Sequence, residues 1–176
     1  MPGFFVDTSA LAKLYHRELG SAYLERLLLN SGTRFWISRL SIVEMESVFA
    51  IKVRSGQLDI SNLAIARRRL RADLAQKRIF VGPPTTEKHF AEARRLLAQY
   101  AVAEGLRTLD SQLAVALDLW QAGLVQTMLA ADQRICRVAR LGGCPAVDPQ
   151  VPAQWLPYRH RRLRRSFTPN RPVAAH

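Results

Sequence analysis

Five short apolar runs divide this chain, and longer segments with helical spacing separate them. The runs are Gly3–Val6, 34–38, Ile79–Val81, 125–130 and 145–147. Each is too short and too continuously apolar for a surface helix, which predicts buried strands. The segments between them repeat their apolar residues every three to four positions. Leu11, Leu14 and Tyr15 share one helical face; Ile42, Met45, Val48, Phe49 and Val53 share another. Helices are expected over about 21–29, 41–54, 59–77, 86–103, 110–121 and 134–141, with Thr8 and Ser9 as candidate caps of the first one. Strands alternating with helices predict an α/β fold: a central parallel sheet of about five strands with helices on both faces.

The chain has 176 residues, 48% of them hydrophobic, which suits one globular domain with a continuous core. Residues 1–149 carry the periodic pattern, and residues 150–176 form a basic, Pro- and Arg-rich tail without it. The formal net charge is +12, and half of it comes from the tail, which holds Arg159, Arg161, Arg162, Arg164, Arg165 and Arg171 and no acid. Such a field attracts polyanions, of which nucleic acid is the usual one; an anionic membrane surface or an acidic protein also fits. Tyr158, His160 and Phe167 lie among the tail arginines, and rings of that kind can stack on bases, so Arg159, Arg161, Arg162, Arg164 and Arg165 are candidate RNA contacts. The basic cluster Arg67, Arg68, Arg69 and Arg71 reads equally well as an RNA or partner contact and as a solvated helix face.

Several classes are excluded. No run of about 18 uncharged apolar residues is present, so no transmembrane helix is expected. The opening residues lack the basic and apolar regions of a signal peptide, so the expected location is cytoplasmic. Two cysteines, Cys136 and Cys144, do not make a disulfide or zinc framework. There is no Gly-rich phosphate loop and no Ser or Cys in a nucleophile setting.

The acids are sparse, and four of them fall at telling places. Asp7 ends the first strand and Asp132 follows the fourth, where parallel sheets gather ligands. Glu44 lies in an apolar stretch early in the helix after the second strand, and Asp110 opens an apolar helix. Singly, each has a bland alternative as a cap or a solvated side chain. Together they would meet at the top of one sheet, beyond the carboxyl ends of its strands. Clustered carboxylates repel unless a cation neutralises them, and oxygen ligands without His or Cys favour Mg²⁺ or Mn²⁺ over zinc. Acids that hold such an ion, within a basic chain, point to phosphodiester hydrolysis.

Four motifs in order resemble those of the PIN-domain family: Phe4-Phe5-Val6-Asp7-Thr8-Ser9-Ala10-Leu11, Ser38-Arg39-Leu40-Ser41-Ile42-Val43-Glu44, Leu109-Asp110-Ser111-Gln112-Leu113-Ala114 and Leu129-Ala130-Ala131-Asp132-Gln133-Arg134-Ile135. The closing Pro145-Ala146-Val147-Asp148-Pro149 is also similar. The resemblance is to VapC-type toxins in particular and spans about residues 3–149. It implies a Rossmann-like three-layer α/β/α fold and a metal-dependent endoribonuclease that leaves 5′-phosphate and 3′-hydroxyl ends on tRNA or rRNA. It implies a cognate antitoxin and a homodimer. Asp7, Glu44, Asp110 and Asp132 match the family's catalytic metal-binding acids, and Thr8 and Ser9 its supporting hydroxyls. The family often has Thr or Ser two residues before the last acid, where this chain has Ala130. The rival reading is a non-catalytic module that binds RNA or protein on the same fold. A DNA-directed nuclease fits less well, because the chain is short and has no helical-arch insertion.

Overall fold

The computed structural model describes residues 2–151 of the chain. The tail arginines and their reading as an RNA grip lie outside the described residues. Five parallel strands form one sheet: β1 (Gly3–Val6), β2 (Arg34–Ile37), β3 (Ile79–Val81), β4 (Thr127–Leu129) and β5 (Ala146–Val147), in the order β3-β2-β1-β4-β5. Seven α-helices accompany them among the described residues: α1 (Thr8–Leu11), α2 (Ser21–Leu29), α3 (Arg39–Arg54), α4 (Ile60–Ala75), α5 (Glu87–Glu104), α6 (Gln112–Gln121) and α7 (Gln133–Leu141).

Side chains on a strand alternate between faces, and β1 shows the result. Phe5 enters a core with Leu96 of α5, Leu113 and Ala116 of α6 and Val138 of α7. Phe4 and Val6 enter a second core with Leu11 of α1, Leu24 of α2, Met45 and Phe49 of α3 and Leu70 of α4. Fully burying one such side chain is worth roughly 1.5–3 kcal/mol. Two cores separated by one sheet make three layers, and the expected α/β/α architecture is the one observed. None of the described helices is long and apolar enough to cross a membrane.

Chain direction through the sheet positions the site. The chain moves from β1 outward through β2 to β3, then crosses to β4 on the other side of β1. Phe4, Phe5 and Val6 pair with Thr127, Met128 and Leu129 in parallel register. A topological switch point therefore lies between β1 and β4, and the crevice beyond the carboxyl ends of such strands is where α/β sheets bind ligands.

Several elements differ locally from the sequence expectation. The cap of α1 is Asp7, whose side chain accepts from the Ser9 backbone N–H; Thr8 and Ser9 lie inside the first turn. After Leu11 the chain tightens into a 3₁₀ turn over Ala12–Leu14. Helix α3 begins at Arg39 because Ser38 caps it, accepting from the Ser41 N–H. The expected helix over 110–121 is divided. Thr108–Ser111 is a 3₁₀ turn, and α6 begins at Gln112. The Asp110 carboxylate accepts from the Arg107 backbone N–H at 2.7 Å, which anchors the tight turn before the α-helical ladder starts.

Candidate active site

Asp7, Thr8, Ser9, Glu44, Arg107, Asp110, Gln112 and Asp132 line one cleft at the switch point, with a volume of roughly 550 Å³. All four sequence-derived acids and both supporting hydroxyl residues are in it. Local structure explains how they arrive there. β1 and β4 end side by side, joined by the Asp7 N–H donating to the Leu129 carbonyl at 2.9 Å. One turn further, the Ala131 N–H donates to Ser9 Oγ at 2.9 Å. Glu44 comes from the second turn of α3, and Asp110 from the tight turn before α6.

Each carboxylate is held differently. Asp7 is 5% exposed, and its Oδ2 accepts from both the N–H and the hydroxyl of Ser9. Glu44 Oε2 accepts from Thr8 Oγ1 at 2.5 Å and from the Gln112 side-chain amide. Asp110 Oδ2 accepts from the Arg107 N–H, with the Arg107 guanidinium 3.9 Å away. In these three acids one oxygen is held and the other has no protein partner among the described residues. Asp132 is different. Its Oδ1 caps α7 through the Arg134 N–H at 2.8 Å, and the Arg134 guanidinium closes on both oxygens, at 3.2 Å and 2.6 Å.

The electrostatics follow from this geometry. Burial pushes the Asp7 carboxyl up to about 6, against the lowering effect of the Ser9 hydrogen bonds, and the charges of Glu44 and Asp110 add to the rise. Asp132 is held below its ordinary value, chiefly by its hydrogen bonds from the Arg134 side chain. Three carboxylates with a spare oxygen each, one of them penalised by burial and by its neighbours' charge, form a donor set suited to a hard divalent cation. The acids are not contracted into a cage: among the described residues no three Asp, Glu, His or Cys side chains converge closely enough to enclose an ion.

The cleft also holds features that the motif reading passed over. Leu40, Val43, Val48 and Ile51 give it an apolar lip along α3. Leu40 with Val43, and Val48 with Ile51, are spaced three apart on one helix, which was the available signal. Gln112 is a buried amide beside six apolar residues among the seven buried positions of α6, a pattern that marks a polar group with a task. Arg134 neutralises Asp132, and two-residue spacing alone does not announce such a pair. Ala130, in place of a hydroxyl, is fully buried in the apolar core beside Cys136 and is absent from the cleft lining.

Comparison with known proteins agrees with this description. A search of curated proteins finds no match. Among solved structures, the fold is similar to PAE2754 from Pyrobaculum aerophilum, with a TM-score of 0.53, 22% identity, and coverage of 83% of this chain and 84% of that one. It is also similar to FitAcB from Neisseria gonorrhoeae, with a TM-score of 0.54, 15% identity, and coverage of 83% and 97%. At these identities the likeness concerns the fold. The family model described as PIN domain matches residues 4–141, a span that runs from β1 through α7 and contains every acid of the cleft. The chain belongs to the PIN domain family.

Proposed function

We propose that the chain is a divalent-metal-dependent endoribonuclease and the toxin of a toxin–antitoxin pair. PIN domains are in general nucleases, which supports a hydrolase acting on phosphodiesters. The observation that carries the metal reading is the spare oxygen on each of Asp7, Glu44 and Asp110 within one cleft. These three would hold the principal ion, Mg²⁺ or Mn²⁺. Such an ion, when bound, supplies a nucleophilic water at neutral pH and stabilises the charge that develops on the phosphoryl oxygens.

The remaining roles belong to the chain's own side chains. Ser9 fixes the Asp7 carboxylate and ties it to the end of β4 through the Ala131 N–H. Thr8 fixes Glu44 from the adjacent position. Asp132, with both oxygens engaged by Arg134, serves as the seat of a guanidinium rather than as a first ligand. Arg134 and the exposed Arg107 then place positive charge beside the acids, where a phosphate of the RNA backbone can be received. Asp132 becomes available to a second ion only if Arg134 moves onto the substrate.

The RNA target class and the antitoxin and homodimer partners rest on the motif resemblance and the net charge of +12. Purified protein is incubated with a mixed tRNA and rRNA pool in Mg²⁺ or Mn²⁺, with EDTA and Asp7→Asn as controls. Discrete fragments are expected with metal alone, and their 5′-phosphate ends can be read by ligation. Cleavage that survives in Asp7→Asn overturns the assignment. RNA bound equally in EDTA and never cut supports the binding module instead.

A further inference from the structure

The cleft contains one amide, and its two ends face different chemistry. Gln112 is 5% exposed and is the first residue of α6, two positions after Asp110. Its Oε1 accepts from Ser38 Oγ and from Ser41 Oγ, both at 2.6 Å. Its Nε2 donates to Glu44 Oε2 and lies 3.4 Å from Thr8 Oγ1. The orientation of the amide follows from its partners. An ionised carboxylate only accepts, so the end facing Glu44 must be the NH₂ group. The two serine hydroxyls can donate, and they saturate the carbonyl end.

These bonds connect three segments that are distant in sequence: the start of α1, the first turns of α3 and the start of α6. Ser38 caps α3, Ser41 lies in its first turn, and Glu44 follows one turn later on the same side. Gln112 spans that turn from α6 and so fixes Glu44 relative to the segment that carries Asp110. Thr8 shares Glu44 Oε2 with it, adjoining Asp7. Both donors converge on one carboxylate oxygen, which turns the other away from protein partners.

We propose that Gln112 is the positioning residue of the metal site: it holds Glu44 through Oε2 so that Oε1 is presented to the ion, and it sets the spacing between Glu44 and Asp110. This inference rests on the reading of Glu44 as a metal ligand. A purely structural amide, replaced by an apolar side chain of the same size, would cost stability through the unpaired Ser38 and Ser41 hydroxyls and leave metal affinity unchanged. A positioning amide would not leave it unchanged, because ligands freed from their outer partners typically lose 10- to 100-fold in metal affinity.

The test titrates Mn²⁺ into the full chain without RNA, follows the free-ion signal by electron paramagnetic resonance, and records a melting curve for each variant. Gln112→Met keeps the volume and removes the donor. It is expected to melt cooperatively and to bind Mn²⁺ about 10- to 100-fold more weakly. Cleavage that fails at low Mn²⁺ is expected to return as Mn²⁺ is raised, since no reacting group has been removed. Ser41→Ala removes one of the two hydroxyls that orient the amide and is expected to weaken Mn²⁺ binding by a smaller factor; it serves should Gln112→Met not fold. Glu44→Gln separates the ligand role from the positioning role. If Glu44→Gln loses Mn²⁺ while folded Gln112→Met and Ser41→Ala bind it like the wild type, the positioning role is overturned alone. If Glu44→Gln binds Mn²⁺ like the wild type, the metal-ligand reading fails and this inference fails with it.

Discussion

At the scale of single residues, the cleft exchanges stability for chemistry, and Asp7 shows the exchange most clearly. Its folded-state value of about 6 lies above the ordinary 3.8. The folded protein therefore binds this proton more tightly than the unfolded chain does. The stabilising contribution is complete below about pH 4 and is lost as pH rises through 6, an effect of roughly 3 kcal/mol if this group acts alone. Asp7→Asn removes the buried charge while keeping an oxygen for Ser9. It is expected to raise the melting temperature at pH 7.5 by several degrees while abolishing cleavage; thermal unfolding by circular dichroism checks this, and an unchanged or lower midpoint counts against it. A divalent cation should likewise raise the midpoint at pH 7.5 and do less at pH 5, where Asp7 already carries a proton. The four acids also separate by how they are held. Asp110→Asn is expected to remove Mn²⁺ binding, whereas Asp132→Asn should largely retain it, because Arg134 already occupies both oxygens of Asp132. Equal losses in a calorimetric titration would argue for four equivalent ligands. Of these details the sequence disclosed the residue types and positions. It could not disclose the pairings, because the Ser38–Gln112 and Gln112–Thr8 hydrogen bonds join residues 74 and 104 positions apart.

At the scale of elements, most of the architecture was legible because each element carries its own signal. The five strands are short apolar runs, and the helices between them repeat every three to four residues, so a parallel sheet followed from the alternation, though not its strand order. Three of the acids were legible for the same reason: Asp7, Asp110 and Asp132 sit at element ends, whereas Glu44, in the second turn of α3, stood out as a charge in an apolar stretch. What failed was the seam between Thr108–Ser111 and α6, where a carboxylate bonded back to the backbone outweighs helical periodicity. The β1–β4 seam depends on one small residue. A Cβ on Gly3 would lie 2.0 Å from the Leu124 carbonyl oxygen, so the strand can approach the α6–β4 connection only without a side chain there. Gly3→Ala is expected to cost about 1–3 kcal/mol in urea unfolding. Because β1 delivers Asp7, cleavage should fall further than the unfolded fraction explains. Loss in strict proportion to unfolding would show that β1 tolerates the shift.

At the scale of the whole molecule, charge and chemistry are divided between different stretches of chain. The cleft collects four acids, while half of the net charge of +12 belongs to residues beyond 151. Removing residues 152–176 is expected to leave a cooperatively melting fold, since residues 2–151 hold the sheet and both described cores. It should weaken RNA binding and flatten its salt dependence, by about 0.7 in the logarithmic slope for each single-strand phosphate that the tail had neutralised. Affinity measured across a salt series decides the matter; an unchanged slope would mean that the arginines of the tail do not touch RNA. The order of strands has one more consequence, which concerns time rather than space. Ser9 meets Ala131 across 122 positions, and β1 must wait for β4 before the cleft has a second wall. A chain that has not yet made β4 lacks the side of the cleft that carries Ala131 and Asp132. On the proposed function, cleavage is expected only once β4 has docked against β1, late in the synthesis of the chain.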